Sequence, residues 1–115
     1  MTFRRLTVRL AITVFALCLA LPLSAGEAPQ VGSPAPNFNL QDQNGDWHTL
    51  EDYRGGWLAV YFYPKDDTPG CTTEACNFRD NIYAFKAIGA SVIGISVDDV
   101  DSHREFAEKY RLPFI

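Results

Sequence analysis

The sequence has few of the residues that bind metals. Its 115 residues include three cysteines and two histidines. Two of the cysteines, Cys71 and Cys76, lie close together, whereas His48 falls on a predicted hairpin strand and His103 on a predicted surface helix. A structural zinc site needs four ligands. We therefore predict no metal at the cysteine pair and expect both histidines to face solvent.

Positive charge is scarce after residue 25. Arg4, Arg5 and Arg9 are three of the ten basic residues, whereas all fourteen acidic residues lie within residues 26–115. Seven basic residues against fourteen acidic ones give that part of the chain a net charge near −7. An acidic surface argues against nucleic acid and anionic membranes as partners.

No apolar run has the roughly 20 residues of a membrane span. The longest, Leu10–Leu21, follows the three arginines and precedes small residues that end at Ala25. This pattern is typical of a secretory signal peptide. We predict such a leader over residues 1–25, with Cys18 as one of its apolar residues, and an uncleaved membrane anchor as the alternative. We expect the protein to be exported, to the periplasm if it is bacterial. Such a compartment is oxidising, and a structural disulfide is there the default interpretation of two cysteines.

A lead-in and a hairpin are predicted next. Residues 26–36 hold three prolines and two glycines, which favours an extended, poorly ordered segment. Asn37–Leu40 and Asp46–Leu50 alternate polar and apolar residues. The Asn44-Gly45 dipeptide between them is typical of a two-residue hairpin turn.

A βαβ unit follows the hairpin. The apolar runs Trp57–Tyr63 and Ser91–Val97 predict buried strands, the first covered on both faces. A helix is predicted from Thr72 to about Ala87, ending near Gly89. Its apolar positions recur at helical spacing: Ala75, Phe78, Ile82 and Phe85. Short links between strand, helix and strand predict parallel strands with a right-handed crossover.

One further helix and a last extended segment complete the pattern. Asp98–Asp101 offers capping residues for a helix over Ser102–Tyr110, and Phe106 gives that helix a core face. Arg111–Ile115 begins an extended segment. Because the sequence ends inside this apolar segment, we expect the domain to be interrupted there.

The cysteine spacing restricts how the two thiols are used. Extending the apolar stripe backwards by four residues reaches Cys71, on the core-facing side of the helix start. Cys76 lies five residues further, about 140° round the helix and roughly 7.5 Å along its axis. A disulfide needs Cα atoms within about 7 Å and converging side chains. The first turns must therefore unwind before the two bond, which argues against a static disulfide and favours one that forms and breaks.

The residues before Cys71 are suited to thiol chemistry. A cysteine at a helix N-terminus is stabilised as a thiolate by the helix dipole and unpaired N–H groups. The Thr68 hydroxyl is a candidate donor to the thiolate or to a bound oxidant, and Pro64 a candidate shield against water. The N–H groups of Gly70 and Cys71 are candidates for polarising a peroxide O–O bond.

Residues 61–80 resemble the active-site signature of the peroxiredoxins, and more narrowly of the bacterioferritin-comigratory-protein, or PrxQ, branch. The family's Pro-x-x-x-Thr-x-x-Cys core stands here as Pro64, Thr68 and Cys71, and the branch's Cys-x-x-x-x-Cys as Cys71 and Cys76. Further matches lie at Val31–Phe38, Val92–Ser96, Phe106–Lys109 and Leu112–Phe114.

The resemblance implies a thioredoxin-like α/β fold for residues 37–115 and a thiol peroxidase without a cofactor. Cys71 would be the peroxidatic cysteine, oxidised by hydrogen peroxide or an organic hydroperoxide to a sulfenic acid. Cys76 would be the resolving cysteine, giving an intramolecular disulfide that thioredoxin or a similar dithiol reduces. A monomer is usual for the branch.

The resemblance also implies further strands, a helix and an arginine that holds the thiolate, all after the matched region. Arg79 is not a substitute, because it lies eight residues along the helix, about 12 Å of rise from Cys71. An inactive remnant with a partial thioredoxin-like fold is therefore one alternative. A thioredoxin-type protein oxidoreductase is another, although its usual Cys-x-x-Cys is absent.

Overall fold

The computed structural model describes residues 28–115, so the predicted leader and the first residues of the lead-in lie outside the described part. The chain divides into two units, residues 1–35 and residues 36–115. In the described part of the first, the Ser33 N–H donates to the Gln30 carbonyl at 3.1 Å and closes a turn within the predicted extended lead-in. No helix among residues 28–115 has the length and apolarity needed to cross a membrane.

Residues 36–115 form an α/β unit that begins with a hairpin and continues as strand, helices and strand. Its elements are β1 (Asn39–Gln41), β2 (Trp47–Thr49), a 3-10 helix (Leu50–Tyr53), β3 (Trp57–Phe62), α1 (Pro69–Asp80), α2 (Ile82–Ala87), β4 (Ala90–Ile95) and α3 (Val100–Tyr110). The antiparallel pairing of β1 with β2 and the parallel pairing of β3 with β4 confirm the predicted hairpin and parallel strands.

The hairpin loop differs from the predicted two-residue turn. The Asp42 N–H donates to the Asp46 carbonyl at 2.9 Å, which leaves three residues in the loop. A two-residue type I′ turn needs positive φ at both Asn44 and Gly45, and of these two only Gly45 has it, at +89°. The Asp42 carboxylate accepts the N–H groups of Asn44 and Asp46 at 2.8 and 3.0 Å, which stabilises the longer loop.

The core lies on one face of the β3–β4 pair. Its buried members are Tyr61, Ile82 and Val92, with Ala59, Tyr63, Phe78, Phe85 and Phe114 packed against them. The expectation that β3 is covered on both faces is wrong for the described residues, since Val60 and Phe62, on the face opposite Tyr61, are 39% and 75% exposed. The helices and Phe114 cover the face that carries Tyr61.

The single helix predicted over residues 72–87 is two helices. The first of these, α1, begins earlier than predicted because Pro69 suits a first helical position, where no N–H is needed. It is interrupted at Asn81, whose side-chain amide donates to the Asn77 carbonyl at 2.9 Å and competes with the helical hydrogen bonds. The predicted apolar stripe still faces the core, and Gly89, at φ +69°, follows the end of α2 as predicted.

Helix α3 begins two residues earlier than predicted. Asp99 caps it, its carboxylate accepting the Ser102 N–H at 2.9 Å. Phe106 is buried, as predicted for the core face. Arg111 ends the helix in the left-handed conformation, at φ +53°. The chain then returns to β4, where the Gly94 N–H donates to the Ile115 carbonyl at 2.9 Å.

Truncating the core should cost far more stability than truncating the surface of the same helical region. Ile82 is 7% exposed and Ile88 is 69% exposed. We expect Ile82→Ala to lower the free energy of unfolding by about 2–4 kcal/mol, because it leaves a cavity, and Ile88→Ala by less than about 0.5 kcal/mol. Urea denaturation measures both values. Equal losses would contradict the assigned core.

The hairpin loop should lose stability in acid. Burial raises the pKa of Asp42, but the N–H donors of Asn44 and Asp46 and the His48 ring outweigh it and hold the pKa below the usual value. A carboxyl group with a lowered folded pKa stabilises the fold above its unfolded pKa of about 3.9, and that contribution is lost as the pH falls. We therefore expect a smaller loss of unfolding free energy between pH 5 and pH 3 in Asp42→Asn than in the unchanged chain. An equal loss in urea denaturation would contradict this.

Candidate functional site

Cys71 lies in the first turn of α1 and is buried, as the sequence predicts. The Thr72 N–H donates to the Thr68 carbonyl at 2.9 Å and makes the first hydrogen bond of the helix. The N–H groups of Gly70 and Cys71 precede it and have no partner within the helix. The thiol is thus combined with two backbone donors at the positive end of a helix dipole.

Cys76 lies on the same helix and is half-buried. Both cysteines are free thiols. Because α1 is continuous from Pro69 to Asp80, the five-residue spacing separates the two Cα atoms by roughly 7.5 Å along the axis. The structure therefore places the cysteines on one element without joining them.

Thr68 and Pro64 lie in the loop between β3 and α1. Thr68 is the residue before the helix, but its hydroxyl donates to the Lys65 carbonyl at 3.0 Å and not to the thiol of Cys71. Pro64 is exposed. Their predicted roles as donor and shield stay predictions.

The two histidines are not the solvent-facing residues that the sequence led us to expect. The His103 side chain is 19% exposed and its Nδ1 lies 2.8 Å from Oδ2 of Asp66. The His48 side chain is 28% exposed, with Nε2 at 3.1 Å from Oδ2 of Asp42 and Nδ1 within reach of the Tyr53 hydroxyl. Each ring is covered because it binds a buried carboxylate, and for His103 that carboxylate lies 37 residues away in the sequence.

The sequence contains a signal for the contact between His103 and Asp66 that we did not use. Asp66 follows the end of β3, and His103 lies near the start of the helix after β4. The carboxyl ends of neighbouring parallel strands meet at one edge of a sheet, where polar groups from the following loops converge.

Asp66, Asp98 and His103 have possible ligand atoms within 4.8 Å of one another. Their oxygen atoms already accept hydrogen bonds: Oδ2 of Asp98 accepts from the Ser96 hydroxyl at 2.6 Å and from the Asp66 N–H at 2.9 Å. These bonds lower the pKa of Asp98. The group therefore forms a hydrogen-bond network that connects the loop before α1 to the start of α3.

A second set of contacts holds the same loop to the end of α3. Asp67 has a left-handed backbone, at φ +56°. Its carboxylate accepts hydrogen bonds from Lys109 Nζ and from the Tyr110 hydroxyl, both at 2.6 Å, and these lower its pKa. Arg79, at the far end of α1, donates to the Tyr110 carbonyl at 2.9 Å and to Asp80 at 2.8 Å.

Comparison with known proteins identifies a matching family and several similar proteins. The model of the AhpC/TSA family matches residues 31–115. The chain is 48% identical over 118 aligned residues to a protein named putative peroxiredoxin Q, chloroplastic, of Oryza sativa subsp. indica, covering 97% of this chain and 54% of the relative. It is 46% identical over 86 residues to peroxiredoxin Bcp of Bacillus subtilis, covering 75% of this chain and 55% of the relative.

The fold has solved counterparts in the same group. The bacterioferritin comigratory protein of Xanthomonas campestris, studied as a trapped intermediate/ligand complex for its alkyl peroxide reduction activity, superposes with a TM-score of 0.66 at 42% identity, covering 67% of this chain and 49% of that one. The chain thus spans about half the length of the relatives that it matches. These likenesses confirm the thioredoxin-like fold expected from the sequence. The chain belongs to the AhpC/TSA family and, within it, to the peroxiredoxin Q/Bcp branch.

Proposed function

We propose that this protein is a thiol peroxidase in which Cys71 reduces hydrogen peroxide or an organic hydroperoxide. The observation that carries the proposal is the position of Cys71: a buried thiol in the first turn of α1, next to the unpaired N–H groups of Gly70 and Cys71. Membership of the peroxiredoxin Q/Bcp branch supports it. The other site assignments, to Cys76, Thr68 and Pro64, belong to the same proposal.

In the first step the Cys71 thiolate attacks one peroxide oxygen. The O–O bond breaks, and the other oxygen leaves as water or an alcohol after taking up a proton. Cys71 becomes a sulfenic acid and has been oxidised by two electrons. The N–H groups at the helix start are placed to stabilise the negative charge that develops on the oxygen atoms.

In the second step the Cys76 thiolate attacks the sulfur of the sulfenic acid, the S–O bond breaks, and the hydroxide that leaves takes up a proton to become water. The product is a disulfide between Cys71 and Cys76, and it requires the first turns of α1 to open. Two electrons from an external dithiol, such as thioredoxin, restore both thiols while the donor becomes a disulfide.

The proposal extends to location and partners. Residues 1–25 direct the protein out of the compartment where it is made, and the cleaved protein acts as a monomer without a cofactor, a nucleic acid or a stable membrane contact. Support comes from the basic, apolar leader sequence and the acidic remainder. The rice relative is named as chloroplastic, so an organelle transit peptide is the alternative function of the leader.

Replacing each cysteine separately tests the assignment. All variants carry Cys18→Ala, so that Cys71 and Cys76 are the thiols that can react with peroxide in the assay. We expect Cys71→Ser to lower peroxide consumption to the uncatalysed rate, because the nucleophile is lost. Cys76→Ser should still consume one equivalent, and its sulfenic acid at Cys71 should persist, since no second thiol condenses with it. Peroxide assays and mass spectrometry of the modified peptides measure both effects.

Two results would contradict the proposal. Peroxide reduction that survives Cys71→Ser removes Cys71 as the nucleophile, and repeated turnover that survives Cys76→Ser removes Cys76 as the resolving thiol. Rapid reduction of insulin disulfides without peroxide consumption would instead identify a thioredoxin-type oxidoreductase.

A further inference from the structure

The loop between β3 and α1 contains a buried carboxylate that the thiol chemistry does not use. The Asp66 side chain is only 3% exposed, although it belongs to a loop, where acidic residues normally face water. A buried carboxylate is unfavourable unless hydrogen-bond donors surround it. The donors around Asp66 therefore indicate what fixes its position.

Within the described part of the chain, three side chains donate to the Asp66 carboxylate. The Tyr63 hydroxyl lies 2.6 Å from Oδ1, and the Ser102 hydroxyl and His103 Nδ1 lie 2.9 and 2.8 Å from Oδ2. Burial and the bond to Asp66 raise the pKa of Tyr63, which keeps its hydroxyl protonated. His103 Nδ1 carries a proton here because its partner is a carboxylate, an acceptor.

Helix α3 therefore holds the loop at both of its ends. Ser102 and His103, in the first turn, bind Asp66, and Lys109 and Tyr110, in the last turn, bind Asp67. A left-handed backbone is unfavourable for a residue other than glycine, so these contacts also stabilise an unfavourable conformation at Asp67.

This loop determines where α1 begins. Asp67 is next to Thr68, the residue that precedes the helix, and Cys71 follows three residues later. A displacement of about 1 Å at reacting groups lowers a rate by as much as about 10²-fold. The hydrogen bonds of Asp66 and Asp67 are thus coupled through the backbone to the thiol and the N–H groups around it.

We propose that His103, through its contact with Asp66, is a positioning residue that holds the loop in the shape required for reaction of Cys71 with peroxide, with Tyr110 as a second anchor on Asp67. The inference rests on the proposed function for its catalytic consequence. None of these side chains contributes an atom to the peroxide reaction.

Substitution at position 103 separates this role from a general effect on stability. His103→Leu removes the donor, and His103→Asn keeps an amide donor near the position of Nδ1. Arg104→Ala is the matched control, because Arg104 is the next residue and, among residues 28–115, forms its ion pair with the exposed Asp101. Tyr110→Phe is a milder variant, since it removes the hydroxyl that binds Asp67 and keeps the ring packed on Phe106.

Two rates are measured on Cys71 in chains that carry Cys18→Ala and Cys76→Ser: oxidation by hydrogen peroxide and alkylation by iodoacetamide. We expect His103→Leu to lower the peroxide rate about tenfold while alkylation, which needs no oriented peroxide, falls less or rises. His103→Asn should restore most of the peroxide rate, and Arg104→Ala should change neither. An unchanged peroxide rate in both His103→Leu and Tyr110→Phe would overturn the proposal, as would equal losses in the two rates.

Amide hydrogen exchange of Asp66 and Thr72 tests the positioning role without reference to peroxide, because these two amides are hydrogen-bonded, to the Asp98 carboxylate and to the Thr68 carbonyl. His103→Leu should speed exchange at both amides, and Arg104→Ala should not. If Cys71 reacts with peroxide no faster in the folded chain than in the chain unfolded by urea, the proposed function fails. Faster amide exchange in His103→Leu would still support the role of His103 in holding the loop. Equal exchange in His103→Leu and the unchanged chain would overturn it.

Discussion

Helix α1 keeps apart the two thiols on which the proposed chemistry depends. Cys71 is buried in its first turn and Cys76 follows five residues later on a continuous helix. The rise of roughly 7.5 Å exceeds the separation that a disulfide spans. The reduced fold therefore suits the first chemical step, and the second step requires a different conformation. The far end of α1 is fixed by Arg79, which donates to the Tyr110 carbonyl, so the opening belongs to the N-terminal turns.

The helix start depends in turn on contacts far away in the sequence. The loop before it is held by Asp66, whose buried carboxylate is satisfied by donors that include His103, and by Asp67, which binds Lys109 and Tyr110. A buried network of this kind is stable only when all its members have partners. The same parallel β3–β4 pair that supports the core brings these partners together at its carboxyl edge.

The sequence predicted the order of elements because periodicity and turn residues are local signals. The stripe through Ala75 and Phe78 identified the core face of the helix, and the position of Cys71 followed from it. What local patterns missed were side-chain contacts: the Asn81 amide that divides the helix, the Asp42 carboxylate that lengthens the hairpin loop, and His103 buried against Asp66. The last contact joins residues 37 positions apart, and it follows from the parallel pairing of β3 with β4, not from any local pattern.

Amide hydrogen exchange of α1 in the reduced and the peroxide-oxidised protein tests the central claim most directly. If Cys71 and Cys76 bond only when the helix opens, oxidation should give a disulfide between them, found by peptide mapping. It should also remove the protection of the amides of residues 72–77, because the disulfide excludes helical geometry there. The amides of residues 84–87 should stay protected, because they are hydrogen-bonded within α2 and to the Asn81 carbonyl. A mapped disulfide with full protection of residues 72–77 would contradict the account.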